Sequence, residues 1–493
     1  MNALDRIIAW AAPARGLRRV RARLQIDAAR KYESASTGRR FDGWTTQSTS
    51  ANTEISQSLV YLRNRHRALV RDNPWAGRAV QAIVSNVVGY GFTQKVFGPA
   101  RIGKLFKAWW GSKACDADGR HNGAGLEALI LRTVAESGEC LIRRYPRAAS
   151  FGPVPLQIRV LEPDYLDNGK TESLTGGGRI LQGVEFDRDG KRVAYWMFTD
   201  HPGDLLTAST TSVRVDAADV AHVFRGDRPG QVRGVPWGAS CILTLRDLDD
   251  YEDAYLLRQK LANCQVGVIF DGDASQANAD AIALGSPLAE SMEPGRFEFL
   301  PPGKDIRFNT PPNAGDYGPF VRAALLRVAA AYGVTFQALT GDLTSVNFSS
   351  GRMGWIEFGR NIDAWRWQML VPQGLDVIAG WFADSMQVAT GIRAENISVR
   401  WDPPRREMIQ PKEDANALSV LVRNGFMSWP QALRELGEDP DAQLDEIADW
   451  QKRIDKLGVR LDCDPRTDNP PMQDAPADGE DASAAGGGSE VRT

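Results

Sequence analysis

The sequence predicts an α+β fold, and three observations predict it. Apolar residues recur at helical spacing from Ser56 to Val88. Between Glu139 and Phe224 the period shortens to that of strands, and beyond Trp237 it lengthens again into a long helical run, roughly Ser240 to Asn263. Helices, then a sheet, then long helices is an order that segregates the two element types.

Each element has its own warrant. In the first block Leu59, Leu62, Leu69, Val70, Trp75, Val80, Ile83 and Val87 supply the apolar positions. Asp72-Asn73-Pro74 interrupts them and reads as a helix restart, because proline is tolerated in the first turn. Gly89-Tyr90-Gly91 ends the block, and Ile102 to Trp110 and Leu126 to Glu136 are further helices. CLIRRYP, LQIRVLEP, GVEFD, AYWMFTD and DVAHVF then read as short strands, with Asp187-Arg188-Asp189-Gly190 as a hairpin turn.

Arg225 to Trp237 is a Gly/Pro-rich break before the long helix, which at 1.5 Å per residue is about 35 Å long. Leu245, Leu248, Tyr251, Tyr255 and Leu261 share one side of that helix, and Arg246, Asp249, Asp250, Asp253 and Lys260 lie largely elsewhere. CQVGVIFDGD and GRFEFLPPGKDIRFNTP read as short strands in an insertion. Val321, Leu325, Val328 and Tyr332 then make a helix face, followed by a polar loop from Thr340 to Gly351. Trp355, Ile356, Phe358, Ile362, Trp365 and Met369 make the next face, and Pro372 is expected to kink or break that helix. ENISVRW reads as a strand, and helices follow at Pro411–Arg423, Pro430–Leu436 and Ala442–Leu457. Ser428 with Gln431 suggests a capping box, and Gly437 and Gly458 suggest stops. Beyond Asp464 the chain is acidic, rich in Pro, Gly and Ala, and without periodicity, which predicts disorder.

Composition bounds the function. At 493 residues the chain should form roughly three domains of about 150 residues. A net charge of -3 gives no overall basic bias for gripping nucleic acid. Residues 1–40 are basic, with Arg15, Arg18, Arg19, Arg21 and Arg23 among them. Five cysteines, an odd count with no close pair, point to reduced thiols in a cytosolic setting. No apolar run approaches the ~18 residues of a transmembrane helix, so no membrane partner is expected.

Catalytic signatures are missing. There is no G-x4-G-K-[ST] phosphate loop, no H-E-x-x-H and no G-x-S-x-G. Asp116-Ala-Asp118 opens like a calcium loop, but Arg120 and His121 stand where a ligand and a glycine are needed. Asp247, Asp249, Asp250, Glu252 and Asp253 could be read as a two-metal nuclease site, yet they spread around the helix. The expectation is a non-enzyme with no catalytic residue, metal or cofactor. The alternatives are a metal-dependent nuclease and a non-viral scaffold protein.

Taken in order, DNPWAGRAVQAIVSNVVGYG, WWGSKACDADGR, ESGECLIRRYP, LEPDYLDN, GVEFDRDGKRVAYWMF, DVAHVFRGDRPGQVRGVPW, RDLDDYEDAYLLRQKLANC, LTGDLTSVNFSSGRMGWIEF and WDPPRREMIQPKEDANA resemble the phage portal proteins of the lambda type. The resemblance runs from about Arg39 to Leu461. It implies a portal fold: an α/β wing (39–237), stem helices (238–264 and 316–340), a β-rich clip (265–315), a tunnel loop (341–352), a long helix (353–394) and a helical crown (395–462). Outside the resemblance, composition predicts a basic flexible N-terminal arm (1–38) and a disordered acidic tail (463–493).

The resemblance further implies a ring of about a dozen identical subunits at one capsid vertex. Double-stranded DNA, held without reading its sequence, would be packaged through the ring by the terminase large subunit and later ejected. Major capsid or scaffold protein and head–tail connector proteins are the other implied partners. Such a protein would be assembled in the host bacterial cytoplasm and reside in the virion. Asp342, Thr344, Ser345, Asn347, Ser349, Ser350 and Arg352 are the residues this places on the DNA channel. Asp249, Asp253 and Arg258 are those it places against the neighbouring subunit.

Overall fold

The structure is a computed structural model. It describes residues 48–206, 210–263, 267–271, 304–308, 317–344, 346–405, 408 and 410–459, with 18, 21, 39, 42 and 43. The basic arm, most of the insertion with its GRFEFL strand, and the acidic tail lie outside the described residues. The chain divides into two compact units, residues 1–58 with 228–231, and residues 59–227 with 232–493. In the first, Asn52 Nδ2 donates to the Gly230 carbonyl at 2.9 Å and Arg228 pairs with Glu54 at 3.0 Å.

The elements follow the sequence pattern closely. Helix α1 (Ala51–Asp72) stops where expected, and α2 (Pro74–Val87) restarts with Pro74 in its first turn. Asn73 Oδ1 accepts from the N–H groups of Trp75 and Ala76 at 3.0 and 3.1 Å, satisfying two donors that a helix start leaves open. Strand β1 (Thr93–Phe97) and helices α3 (Ala100–Trp110) and α4 (Gly123–Ser137) come next. Gly138 ends α4 at φ +93, and a Cβ there would sit 2.5 Å from the Val235 carbonyl carbon, so glycine lets the chain turn directly into the sheet.

Strands β2 (Glu139–Pro146), β3 (Leu156–Leu161), β4 (Glu172–Ser173), β5 (Arg179–Leu181), β6 (Val184–Phe186), β7 (Arg192–Phe198), β8 (Ser212–Asp216) and β9 (Val220–Phe224) form two antiparallel sheets. One has the order β3-β2-β9 and the other β4-β5-β6-β7-β8. The predicted hairpin joins β6 and β7, with a register shift at Glu185/Phe186.

Helix α5 (Ile242–Asn263), the antiparallel pair β10 (Gly267–Asp271) and β11 (Lys304–Phe308), and helices α6 (Tyr317–Tyr332) and α7 (Phe336–Thr340) follow. Helix α8 (Phe348–Trp365) runs through a π-helical stretch, Arg366–Leu375, into α9 (Asp376–Thr390). Pro372 therefore does not end the helix. The wider i→i+5 turn moves away the carbonyl that its ring would strike and leaves no N–H to satisfy. Strand β12 (Ser398–Asp402) pairs antiparallel with β1, and α10 (Pro411–Arg423), α11 (Trp429–Glu435) and α12 (Pro440–Leu457) complete the described chain.

The main core packs α2, α3, α4, α6, α8 and α9 on the inner face of the three-stranded sheet. Aromatic rings dominate one end: Phe106 meets Phe382 edge-on at 4.8 Å, and Trp110 meets Trp401 at 5.9 Å. A fully buried carboxylate, Glu139, lies on the other side of the sheet's first strand. It accepts from Arg63 at 2.7 Å, Arg233 at 2.6 Å, His222 at 2.9 Å and the Gly234 N–H at 2.8 Å. Cys115, Cys140 and Cys241 are buried thiols, and burial pushes Cys115 up to about 12. No described helix is long and apolar enough to cross a membrane.

Candidate DNA-channel loop

The loop that joins α7 to α8 is built by local hydrogen bonds. Thr335 caps α7, whose end is turned by Gly341 at φ +72. Asn347 caps α8: its Oδ1 accepts from the Ser350 N–H at 2.8 Å, while its own N–H donates to Ser350 Oγ at 3.2 Å. The irregular stretch is therefore shorter than the 341–352 span read from sequence, because Phe348 to Arg352 are already the first helical residues of α8.

Charge in this loop is neutralised within the chain. Asp342 Oδ1 accepts from the Thr344 N–H at 2.9 Å and from the Thr344 hydroxyl at 2.6 Å. Arg322 of α6 stands 3.8 Å from the same carboxylate. The Thr344 hydroxyl and then its N–H hold the Asp342 carboxyl below its ordinary value. Arg352 reaches Asp414 of α10 at 3.5 Å. Thr344, Asn347, Ser349 and Ser350 are left exposed, and Ser345 lies outside the described residues. The surface is less polar than the sequence suggested, because Leu343, Phe348 and Met353 are exposed beside them. That apolar share was readable in the sequence and was passed over for the hydroxyls.

The predicted subunit-facing residues sit apart from this loop, on α5. Asp249 is already engaged within the chain: Asn73 Nδ2 donates to both of its oxygens, at 2.8 and 3.0 Å. Asp253 is exposed and Arg258 half-buried. The tyrosines of α5 close on α6, with Tyr251 4.3 Å from Phe320 and Tyr255 4.8 Å from Tyr317 between ring centroids. This fixes the spacing of the two helices that flank the insertion.

Among the described residues the acidic run of α5 brings together no group with ligand spacing. Among the described residues the group with ligand spacing is Glu162, Asp164 and His201. There Arg67 takes the place of a cation, 2.6 Å from Asp164 and 3.2 Å from Glu162. His201 Nδ1 accepts the Gly203 N–H at 3.0 Å, so the imidazole proton sits on Nε2, which faces Glu162 at 3.3 Å.

The sequence model described as phage portal protein, lambda family, matches residues 37–366. The chain is 26% identical over 472 residues, 89% of each protein, to the probable portal protein of Halomonas phage phiHAP-1. It is also similar to chains from two solved necks of gene transfer agent (GTA) particles. One is the neck of an empty particle computed with C6 symmetry, at 16% identity and a TM-score of 0.45. The other is that of a native particle computed with C12 symmetry, at 16% identity and a TM-score of 0.46. Each covers 78% of this chain and 94% of the solved one. The family match extends over more than half of the 493 residues: the chain belongs to the lambda family of phage portal proteins.

Proposed function

We propose that identical copies of this chain form a ring, of about a dozen by family resemblance, whose channel passes double-stranded DNA into a capsid and later out of it. In that reading residues 39–237 are the wing, α5 and α6 the stem, β10 and β11 part of the clip, residues 341–352 the tunnel loop, and α10–α12 part of the crown. A terminase would dock on the clip during packaging and connector proteins would replace it afterwards. Capsid or scaffold protein would contact the basic N-terminal arm, so that the ring becomes part of the virion. The chain supplies structure and a passage, and the motor supplies the chemistry.

The observation that supports the reading, beside the family match, is the pairing within the chain of Asp342 with Arg322 and of Arg352 with Asp414. Affinity for DNA rises with each cation placed against the phosphates. A loop whose charges are paired within the chain offers hydroxyls and amides, a weak surface over which DNA can slide. Ser349 is exposed and its side chain takes no part in the Asn347–Ser350 cap, so Ser349→Lys adds a cation without disturbing the cap. Packaging in vitro with this variant should slow or stall, and the arrest should ease as salt is raised. Packaging at the parental rate and salt dependence would remove the loop from the channel.

A further inference from the structure

Charge is unevenly spread along this chain. Residues 74–115 hold six bases and no acid, although the whole chain has a net charge of -3. Three of those bases lie on α3, where Arg101, Lys104 and Lys107 recur at steps of three. Ile102, Phe106, Trp109 and Trp110 of the same helix are buried, so the bases take the opposite, solvent face. Lys113 follows in the next turn. All four cations are exposed, and among the described residues none of them is in an ion pair. A row of like charges repels itself and attracts an anion.

Another base of the segment, Lys95, shows where acids approach it. Lys95 pairs with Asp439, at 3.8 Å, and with Asp441 in the first turn of α12. It lies on β1, which packs against α3: a Cβ on Gly103 would sit 3.7 Å from the Val96 side chain. Helix α12 therefore starts beside the basic segment, and its 18 residues run for about 27 Å.

Beyond α12, residues 460–493 hold eight acids and three bases, Arg460, Arg466 and Arg492. Asp468, Asp474, Asp478, Glu480 and Asp481 form a run with no base among them. The 15 residues from 460 to 474 span up to about 50 Å. That exceeds the length of α12, so the acidic run has the reach to return to α3.

We propose that the acidic run 468–481 docks on the basic stripe of α3 in the same copy and covers it against other polyanions. The contact needs one chain and no ring. Duplex DNA competes for the same cations, because each one set against a phosphate adds affinity. A tethered run opposes that competitor at an effective concentration on the order of 1 mM.

The test is fluorescence anisotropy of the full chain with a labelled synthetic peptide of residues 464–493. A full-length variant with Asp468→Asn, Asp474→Asn, Asp478→Asn, Glu480→Gln and Asp481→Asn has a neutral run and an open stripe. It should bind the peptide about tenfold more tightly than the parent does, with an affinity that falls as salt is raised. Adding Lys104→Glu and Lys107→Glu to that variant should abolish the binding. Lys104→Gln and Lys107→Gln in their place should weaken it, and an unchanged melting temperature checks the fold of each form. A labelled DNA duplex should gain affinity on neutralisation of the run and lose that gain with the lysine substitutions. Equal peptide binding by the parent and the neutral-run variant, including none by either, would overturn the docking. Peptide binding that survives Lys104→Glu with Lys107→Glu would put the run on another surface and end the proposal. A gain in duplex binding without any peptide binding would assign the stripe to nucleic acid and end it too.

Discussion

His66 Nε2 lies 2.6 Å from the Tyr332 hydroxyl, and Nδ1 of the same ring lies 2.7 Å from the Glu136 carbonyl. A carbonyl only accepts, so Nδ1 carries the proton and Nε2 accepts from Tyr332. This one ring joins α1, α4 and the end of α6, the helix that leads into the α7–α8 loop. Tyr332→Phe removes the donor and leaves Nε2 buried without a partner, which costs about 1–3 kcal/mol. Gly238→Ala should cost more, because its Cβ would fall 2.3 Å from both His66 Nε2 and the Tyr332 hydroxyl. Chemical denaturation of both variants, at one temperature, measures the order.

The same ring sets an acid limit. Burial pulls the His66 pKa below its ordinary value, against the opposing bond to the Glu136 carbonyl. A depressed folded value means that the unfolded chain binds the proton more readily. Stability is thus fully present above the ordinary histidine pKa of about 6.5 and falls as pH drops through the folded value. His66→Gln should flatten that fall, whatever it does to stability at neutral pH. An unchanged acid limb would show that His66 does not contribute to it.

Glu127 acts in the opposite direction. It lies buried between the Phe92 N–H at 2.9 Å and Trp110 Nε1 at 3.3 Å, and burial pushes its pKa up to about 8. The folded state holds a proton that the unfolded state has released above its own pKa of 4.5. Its contribution is fully present below 4.5 and is lost as pH rises to about 8. The loss is on the order of a few kcal/mol. Glu127→Gln keeps the shape and removes the titration. Relative to the parent, the variant should gain stability steadily between those two values, and equal slopes would refute the assignment.

Much of this architecture was legible in the sequence, and the exceptions have physical causes. Helices with periodic apolar faces and explicit starts, such as Asn73-Pro74 before α2, were placed to within a few residues. Strand β1 was missed because TQKVF is short and half-buried, and its partner β12 is remote in sequence. Pro372 was expected to kink or break its helix, and local sequence cannot show that a π-helical stretch carries the helix through it. At the loop, two of the residues expected to line a channel have a structural duty: Asn347 and Ser350 spend their side chains on the cap of α8. Asp249, expected to pair with a neighbouring subunit, accepts from Asn73, a partner the sequence does not show because it is distant in the chain.

The buried ion cluster gives the sharpest stability test. Burial alone would raise the Glu139 carboxyl, but Arg233, then His222 and Arg63, overcome it and hold it well below the usual carboxylate range. Its charge is therefore retained across the whole range in which the protein is handled. Arg63 comes from α1, Glu139 and His222 from adjacent strands, and Arg233 from the break before α5, so the carboxylate ties four chain segments together. Glu139→Ala would leave two guanidinium groups, each at most 2% exposed, with their main counter-charge gone. Removing one partner of a buried pair costs about 3–5 kcal/mol, far above the about 0–1 kcal/mol of an exposed pair such as Lys452–Asp449. Glu139→Gln keeps the shape and some acceptor capacity and should fall between the parent and Glu139→Ala. The order parent, Glu139→Gln, Glu139→Ala in denaturation midpoint is the expected result. A Glu139→Ala midpoint equal to that of Asp449→Ala would show that the cluster contributes nothing beyond a surface pair.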